Sequence, residues 1–149
     1  MPRLERNVLI RAPAERVWGV LVDPALLPEW EAGLVAVEDA DELLDQPEAS
    51  CTQVMRFRRR TVRGELEVTE AFAPHRRVMR VQPPLTVAAT RRERLVHTDQ
   101  GTQVTIELDY ETRRGPVGAL LDVALIRPRI AMMLAESGRS LKRLVEYEP

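Results

Sequence analysis

Hydrophobic positions follow two different periods along this chain. Between residues 50 and 111 they recur at every second position, the period of a strand with one buried face. Cys51, Gln53, Met55 and Phe57 share one face of such a strand, with Thr52, Arg56, Arg58 and Arg60 on the other. Val62, Gly64, Leu66 and Val68 then alternate with Arg63, Glu65, Glu67 and Thr69. Further on, Val104, Ile106, Leu108 and Tyr110 alternate with Thr105, Glu107, Asp109 and Glu111. Between them, Ala73-Pro74-His75-Arg76 reads as a turn, Arg77–Val81 as a short strand closed by Pro83-Pro84, and Leu85–His97 as a longer strand. In that longer strand Arg91 and Glu93 have the parity of Leu85, Val87, Ala89 and Leu95. Asp99-Gln100-Gly101 supplies a hairpin turn.

From Gly115 to Glu146 the period becomes helical, and Gly115-Pro116 is the start signal. A polar stripe runs through Asp122, Arg129, Glu136 and Arg143, leaving a wide apolar side rich in leucine, isoleucine and methionine before residue 135. Pro128 removes one backbone hydrogen bond and crowds the carbonyl of Ala124, so the helix is expected to bend there. Near the other terminus, Asn7-Val8-Leu9-Ile10 reads as a strand. Pro13 then presets a helical turn, after which Val17, Trp18, Val20 and Leu21 recur at helical spacing. Asp23 and Pro24 open a second short helix over Ala25–Glu31, Gly33–Asp39 reads as a strand, and Asp41–Ala49 as an acidic loop.

The run Ala12-Pro13-Ala14-Glu15-Arg16-Val17-Trp18, followed by Asp23-Pro24 and Leu27-Pro28-Glu29-Trp30, resembles the N-terminal signature of the START-like (SRPBCC) superfamily, in particular its polyketide cyclase/dehydrase and lipid-transport group. The resemblance implies an α+β helix-grip fold. Its curved antiparallel sheet of about seven strands wraps a long C-terminal helix, with two short helices between the first and second strands. Nearly the whole chain can be laid onto that order, and nothing marks a linker or repeat, so one domain over residues 1–149 is expected.

Six strands with one apolar face each need a cover, and the long helix is the element left to provide it. Few aromatic residues are available to fill the concavity, and Gly64 and Ala89 fall at inward positions, so a cavity between sheet and helix is expected. An ordinary filled core under a bent helix is the alternative. The cavity walls would come from Trp18, Trp30, Met55, Leu66, Val87, Ile106, Leu108, Leu121, Leu125 and Met132.

Composition narrows the chemistry. The chain has 149 residues, 44% hydrophobic and 30% charged, which is ordinary for a globular protein. Its net charge of −1 hides a basic middle, since residues 50–97 carry 11 arginines against 4 acids. Those arginines fall mostly on the outer sheet face opposite Glu65 and Glu67 and lack interleaved aromatics, so an ion-paired surface is expected and nucleic-acid binding is not. The single Cys51, with no apolar leader and no long uncharged apolar run, leads to the expectation of a cytoplasmic protein without an integral membrane segment. His75, His97 and Cys51 do not fall at metal-ligand spacing, and no phosphate-cradling or nucleophile-elbow motif occurs, so neither a metal nor a cofactor is expected.

Three readings of function follow. In the first, which the resemblance favours, the protein binds a hydrophobic small molecule, lipid-like or polyketide/aromatic, between sheet and helix. In the second it is a cyclase, aromatase or dehydratase, where Arg91 would stabilise an enolate and Glu93 or Tyr110 would move a proton. That requires Arg91 and Glu93 to face the cavity; the alternative is that both are solvated and paired. In the third, the apolar half of the helix docks a partner protein or a second copy of the chain.

Overall fold

The computed structural model describes residues 3–57, 59–82, 88–111 and 115–147. Strand β1 (Arg3–Ile10) leads into helices α1 (Ala14–Leu21) and α2 (Leu27–Trp30). Strands β2 (Leu34–Glu38), β3 (Ser50–Phe57), β4 (Arg60–Phe72), β5 (Arg76–Val81), β6 (Ala89–Thr98) and β7 (Gly101–Tyr110) follow. Helix α3 (Gly115–Leu121), a π-helical turn (Asp122–Ile126) and helix α4 (Arg127–Tyr147) complete the chain. All strand pairs are antiparallel, in the order β1-β7-β6-β5-β4-β3-β2. This is the helix-grip architecture that the sequence implies.

The alternation along β6 is carried into the structure. Ala89, Arg91, Glu93 and Leu95 are buried on the inner face, as their shared parity requires. On β5 the same rule buries Met79 and Val81 and brings Arg77 inside with them. Register makes Arg77 the direct cross-strand partner of Glu93, and Met79 that of Arg91.

The lower half of the C-terminal helix holds the fold. Ile130, Leu134, Leu141 and Val145 are buried, with Ser137 and Gly138 in the same stripe. Lys142 donates to the Leu9 carbonyl at 2.7 Å, and Glu146 accepts from the Arg11 amide at 2.9 Å, which ties α4 to the end of β1.

The upper half is arranged differently from the expectation. Its buried positions are Gly118 and Asp122, while Val117, Leu120, Leu125 and Met132 are 72%, 70%, 58% and 72% exposed. Tyr110 donates a 2.6 Å hydrogen bond to Asp122 Oδ1, and Arg127 bonds Oδ2 at 2.7 Å. Asp122 therefore faces the end of β7 and turns the leucines outward. The π-helical turn lies directly before Pro128, whose missing N–H and bulky ring favour the wider turn upstream. The turn widens over the segment where Pro128 leads to the expectation of a bend.

Candidate functional site

A cavity of about 70 Å³ lies between the sheet and α4. Its walls are Gln53, Met55, Val81, Arg91 and Leu108 from the sheet, Ile130, Met133 and Leu134 from α4, and Glu31 and Ala32 from the segment after α2. The walls are mostly apolar, with Glu31, Gln53 and Arg91 as their polar members. The volume is well below the roughly 300–1,000 Å³ of a typical small-molecule pocket, so the cavity must widen to enclose one. Two larger depressions, of about 620 and 550 Å³, lie at the surface beside the β6–β7 hairpin and in the acidic loop. Both are open grooves, and among the described residues neither contains a buried side-chain N or O atom that lacks a partner.

Behind the polar side of the cavity four charged side chains form a chain of contacts. Glu93 accepts from Arg77 Nε at 2.8 Å on one oxygen and from Arg91 Nε at 3.2 Å on the other. Arg91 Nη1 donates to Glu31 at 2.9 Å. Glu31 also accepts from the Ser137 hydroxyl at 3.1 Å, and the Ser137 oxygen accepts from the Ala32 amide at 2.9 Å. Arg77 completes its fork on the carbonyls of Leu44, at 2.8 Å, and Leu21, at 3.2 Å. Two arginines balance two glutamates, which is what allows charges this deep in the protein. Burial works against the Arg91 charge, but Glu31 and then Glu93 outweigh it and hold its pKa above the ordinary arginine value.

Two buried donors in this region have no hydrogen-bond partner among the described residues: Arg91 Nη2 and Trp30 Nε1. They belong to neighbouring groups, the Arg91 guanidinium carbon lying over the Trp30 ring, 5.5 Å from its centre. Buried polar atoms without partners are uncommon in native proteins and call for a physical reason.

Of the residues expected to form walls, Met55 and Leu108 lie on the cavity. Trp18, Trp30, Leu66 and Ile106 are buried in the surrounding core. Val87 lies outside the described residues. Leu121 is half-buried, and Leu125 and Met132 point away from the sheet because Asp122 occupies the inward position of the helix. Arg91 and Glu93 are both buried, so the solvated alternative does not hold. Gly64 does not open space: a Cβ there would stand 2.6 Å from the Gln82 carbonyl oxygen, so backbone already occupies its side. Tyr110 is buried but donates its hydrogen bond to Asp122; burial first, and then that bond, push its pKa up to about 12. The Cys51 thiol is pushed up to about 11 by burial, so it is a poor nucleophile.

Sequence reasoning missed Arg77, Glu31, Ser137, Ile130, Met133 and Leu134 as parts of this region. Arg77 was readable from the parity of Met79 and Val81. Ile130, Leu134 and Ser137 fall on one helical stripe. Glu31 follows a four-residue helix and gave no periodic signal.

Comparison with known proteins gives the same architecture. The profile of a family described as polyketide cyclase/dehydrase and lipid transport matches residues 1–146. A solved structure from Thermus thermophilus has a TM-score of 0.79 at 20% identity, with 97% of each chain covered. One from Rhodobacter sphaeroides has a TM-score of 0.73 at 23% identity, covering 96% of this chain and 91% of its own. Ara h 8.0201 reaches 0.74 at 9% identity over 97% of each chain. At such identities these likenesses concern the fold alone. No curated protein matches the chain by sequence.

Proposed function

The chain belongs to the polyketide cyclase/dehydrase and lipid-transport family, and from that premise we propose that it binds a small, mostly apolar molecule between its sheet and α4. The observation that carries this reading is the cavity itself, apolar on most of its wall and bounded on one side by a guanidinium with an unpartnered N–H. Growth of the cavity is inexpensive in this fold. Met55 and Met133 are unbranched and can change rotamer with little strain.

Binding is favoured over turnover because the expected catalytic trio is not assembled. Glu93 has both oxygens committed to arginines, and the Tyr110 hydroxyl is committed to Asp122 away from the cavity wall. Native mass spectrometry of the purified protein, followed by organic extraction, tests the reading. A stoichiometric apolar molecule that leaves on denaturation is the expected result. Failure of a graded series of apolar compounds to perturb the Met55 and Met133 methyl resonances would remove it.

One observation favours a second reading. Val117, Leu120, Val123 and Leu125 are exposed apolar side chains on one segment, and docking of a second copy through it would cover them. Sedimentation velocity across a concentration series distinguishes a dimer from a monomer.

A further inference from the structure

Arg91 lines the cavity with three of its contacts already assigned: Nε to Glu93, Nη1 to Glu31, and its Cζ over the Trp30 ring at 5.5 Å from the ring centre. Its remaining nitrogen, Nη2, is buried and has no partner among the described residues. A guanidinium donates only, so what satisfies Nη2 must be an acceptor, and the cavity is where an acceptor can arrive. The charge behind it decides which kind. Arg77 and Arg91 are already matched by Glu31 and Glu93, so a ligand carboxylate or phosphate would bring an unbalanced negative charge into a buried cluster. An uncharged oxygen takes the same hydrogen bond without that penalty.

We propose that Arg91 Nη2 is the recognition point of this cavity and that the balanced ion cluster behind it restricts the recognised group to an uncharged acceptor oxygen, such as a ketone or ester carbonyl, and excludes carboxylates. This rests on the reading of the cavity as a ligand site and adds a rule for what enters it. Arg91 is a binding residue in this scheme. Arg77 acts through Glu93, holding the carboxylate that orients Arg91 Nε.

The test compares 2-hexanone with 1-hexene, which lacks the oxygen, and with hexanoate at pH 8, using the methyl resonances of Met55 and Met133 as reporters. A hydrogen bond to a charged donor corresponds to roughly a ten- to hundredfold preference, so 2-hexanone is expected to bind at least about tenfold more tightly than either control. Its carbonyl stretch is expected to fall in frequency on binding to the wild-type protein, a readout independent of how any variant folds. Arg91→Lys keeps the positive charge and removes the forked donor. It is expected to abolish the preference for 2-hexanone over 1-hexene. Hexanoate binding as tightly as 2-hexanone overturns the exclusion of anions, with the cavity reading intact. Equal affinity for 1-hexene and 2-hexanone overturns Arg91 as the recognition point. If none of the three perturbs the methionines, the ligand-site reading fails and this proposal falls with it.

Discussion

Arg77 and Glu93 face each other directly across β5 and β6, 2.7 Å apart, with side chains 1% and 0% exposed. Removing either partner leaves a charge with no water to solvate it, a loss of about 3–5 kcal/mol. Arg77→Met and Glu93→Gln are each expected to lower the urea unfolding free energy by that order. The double variant Arg77→Met/Glu93→Met leaves the Arg91–Glu31 pair balanced, so it is expected to be less destabilised than either single variant. Additive losses would mean that the pair is not coupled in this way.

Tyr110 gives the fold an alkaline limit. Its pKa is pushed up to about 12 by burial and by its bond to Asp122, against about 10 for an unfolded tyrosine. The folded state thus holds this proton more tightly than the unfolded one. The resulting stability is fully present below about pH 10 and is lost as pH rises toward about 12. In Tyr147→Phe, which leaves Tyr110 as the only tyrosine, phenolate absorbance is expected to appear with a midpoint near pH 12. Tyr110→Phe is expected to flatten the pH dependence of stability across the same window.

Asp109 sets the opposite limit. It sits on β7 between Arg3 of β1, at 2.8 Å, and Arg92 of β6. The bond from Arg3, with that from Arg92 and against the effect of burial, holds its pKa below the ordinary carboxylate value. A depressed pKa contributes stability above about pH 4 that fades as pH falls through the folded value. Both arginines are partly solvated, so Asp109→Asn is expected to cost only about 1 kcal/mol at pH 7. Thermal unfolding of the two proteins should converge as pH falls below the range in which an ordinary carboxylate titrates.

Gly64 is fixed by contact rather than by flexibility. Its missing Cβ leaves room for the Gln82 carbonyl at the β4–β5 end of the sheet, where a methyl group would approach to 2.6 Å. Backbone cannot yield as a side-chain tip can. Gly64→Ala is therefore expected to destabilise by about 1–3 kcal/mol in a denaturant titration, despite the better strand propensity of alanine. A neutral result would show that residues 82 and 64 separate freely.

How much of this was legible before any coordinates depends on which physical rule governs each residue. Strand faces obey a period of two, so the parity of Arg91 and Glu93 with Leu95 and Ala89 offered the inward placement, with a solvated, paired placement as the alternative. The same rule would have placed Arg77. What made those charges tolerable was not legible, because Glu31 arrives from a non-periodic segment and Ser137 from a helix more than a hundred residues away. The orientation of the upper helix was hidden for a different reason. Periodicity tells which residues share a face but not which face meets the sheet, and a single hydrogen bond from Tyr110 to Asp122 decides that here. Gly64 shows the limit of size arguments: a small residue can mark a void or the close approach of another backbone.

The two halves of the C-terminal helix should respond oppositely to substitution. Ile130 and Leu134 are buried on the side of α4 that faces the sheet, where truncation to alanine removes packed methylenes and enlarges the cavity, costing about 2–5 kcal/mol. Leu120 and Leu125 are exposed, and surface substitutions lie within about ±0.5 kcal/mol. Leu120→Gln and Leu125→Gln are therefore expected to leave the unfolding free energy unchanged, and to weaken self-association if the stripe docks a second copy. Suppose instead that the upper helix rotates its leucines inward when the cavity fills. The same variants would then lower affinity for an apolar ligand without changing the stability of the free protein. Measuring unfolding, sedimentation and ligand affinity on Leu125→Gln separates the two cases, because docking changes the second quantity and closure changes only the third.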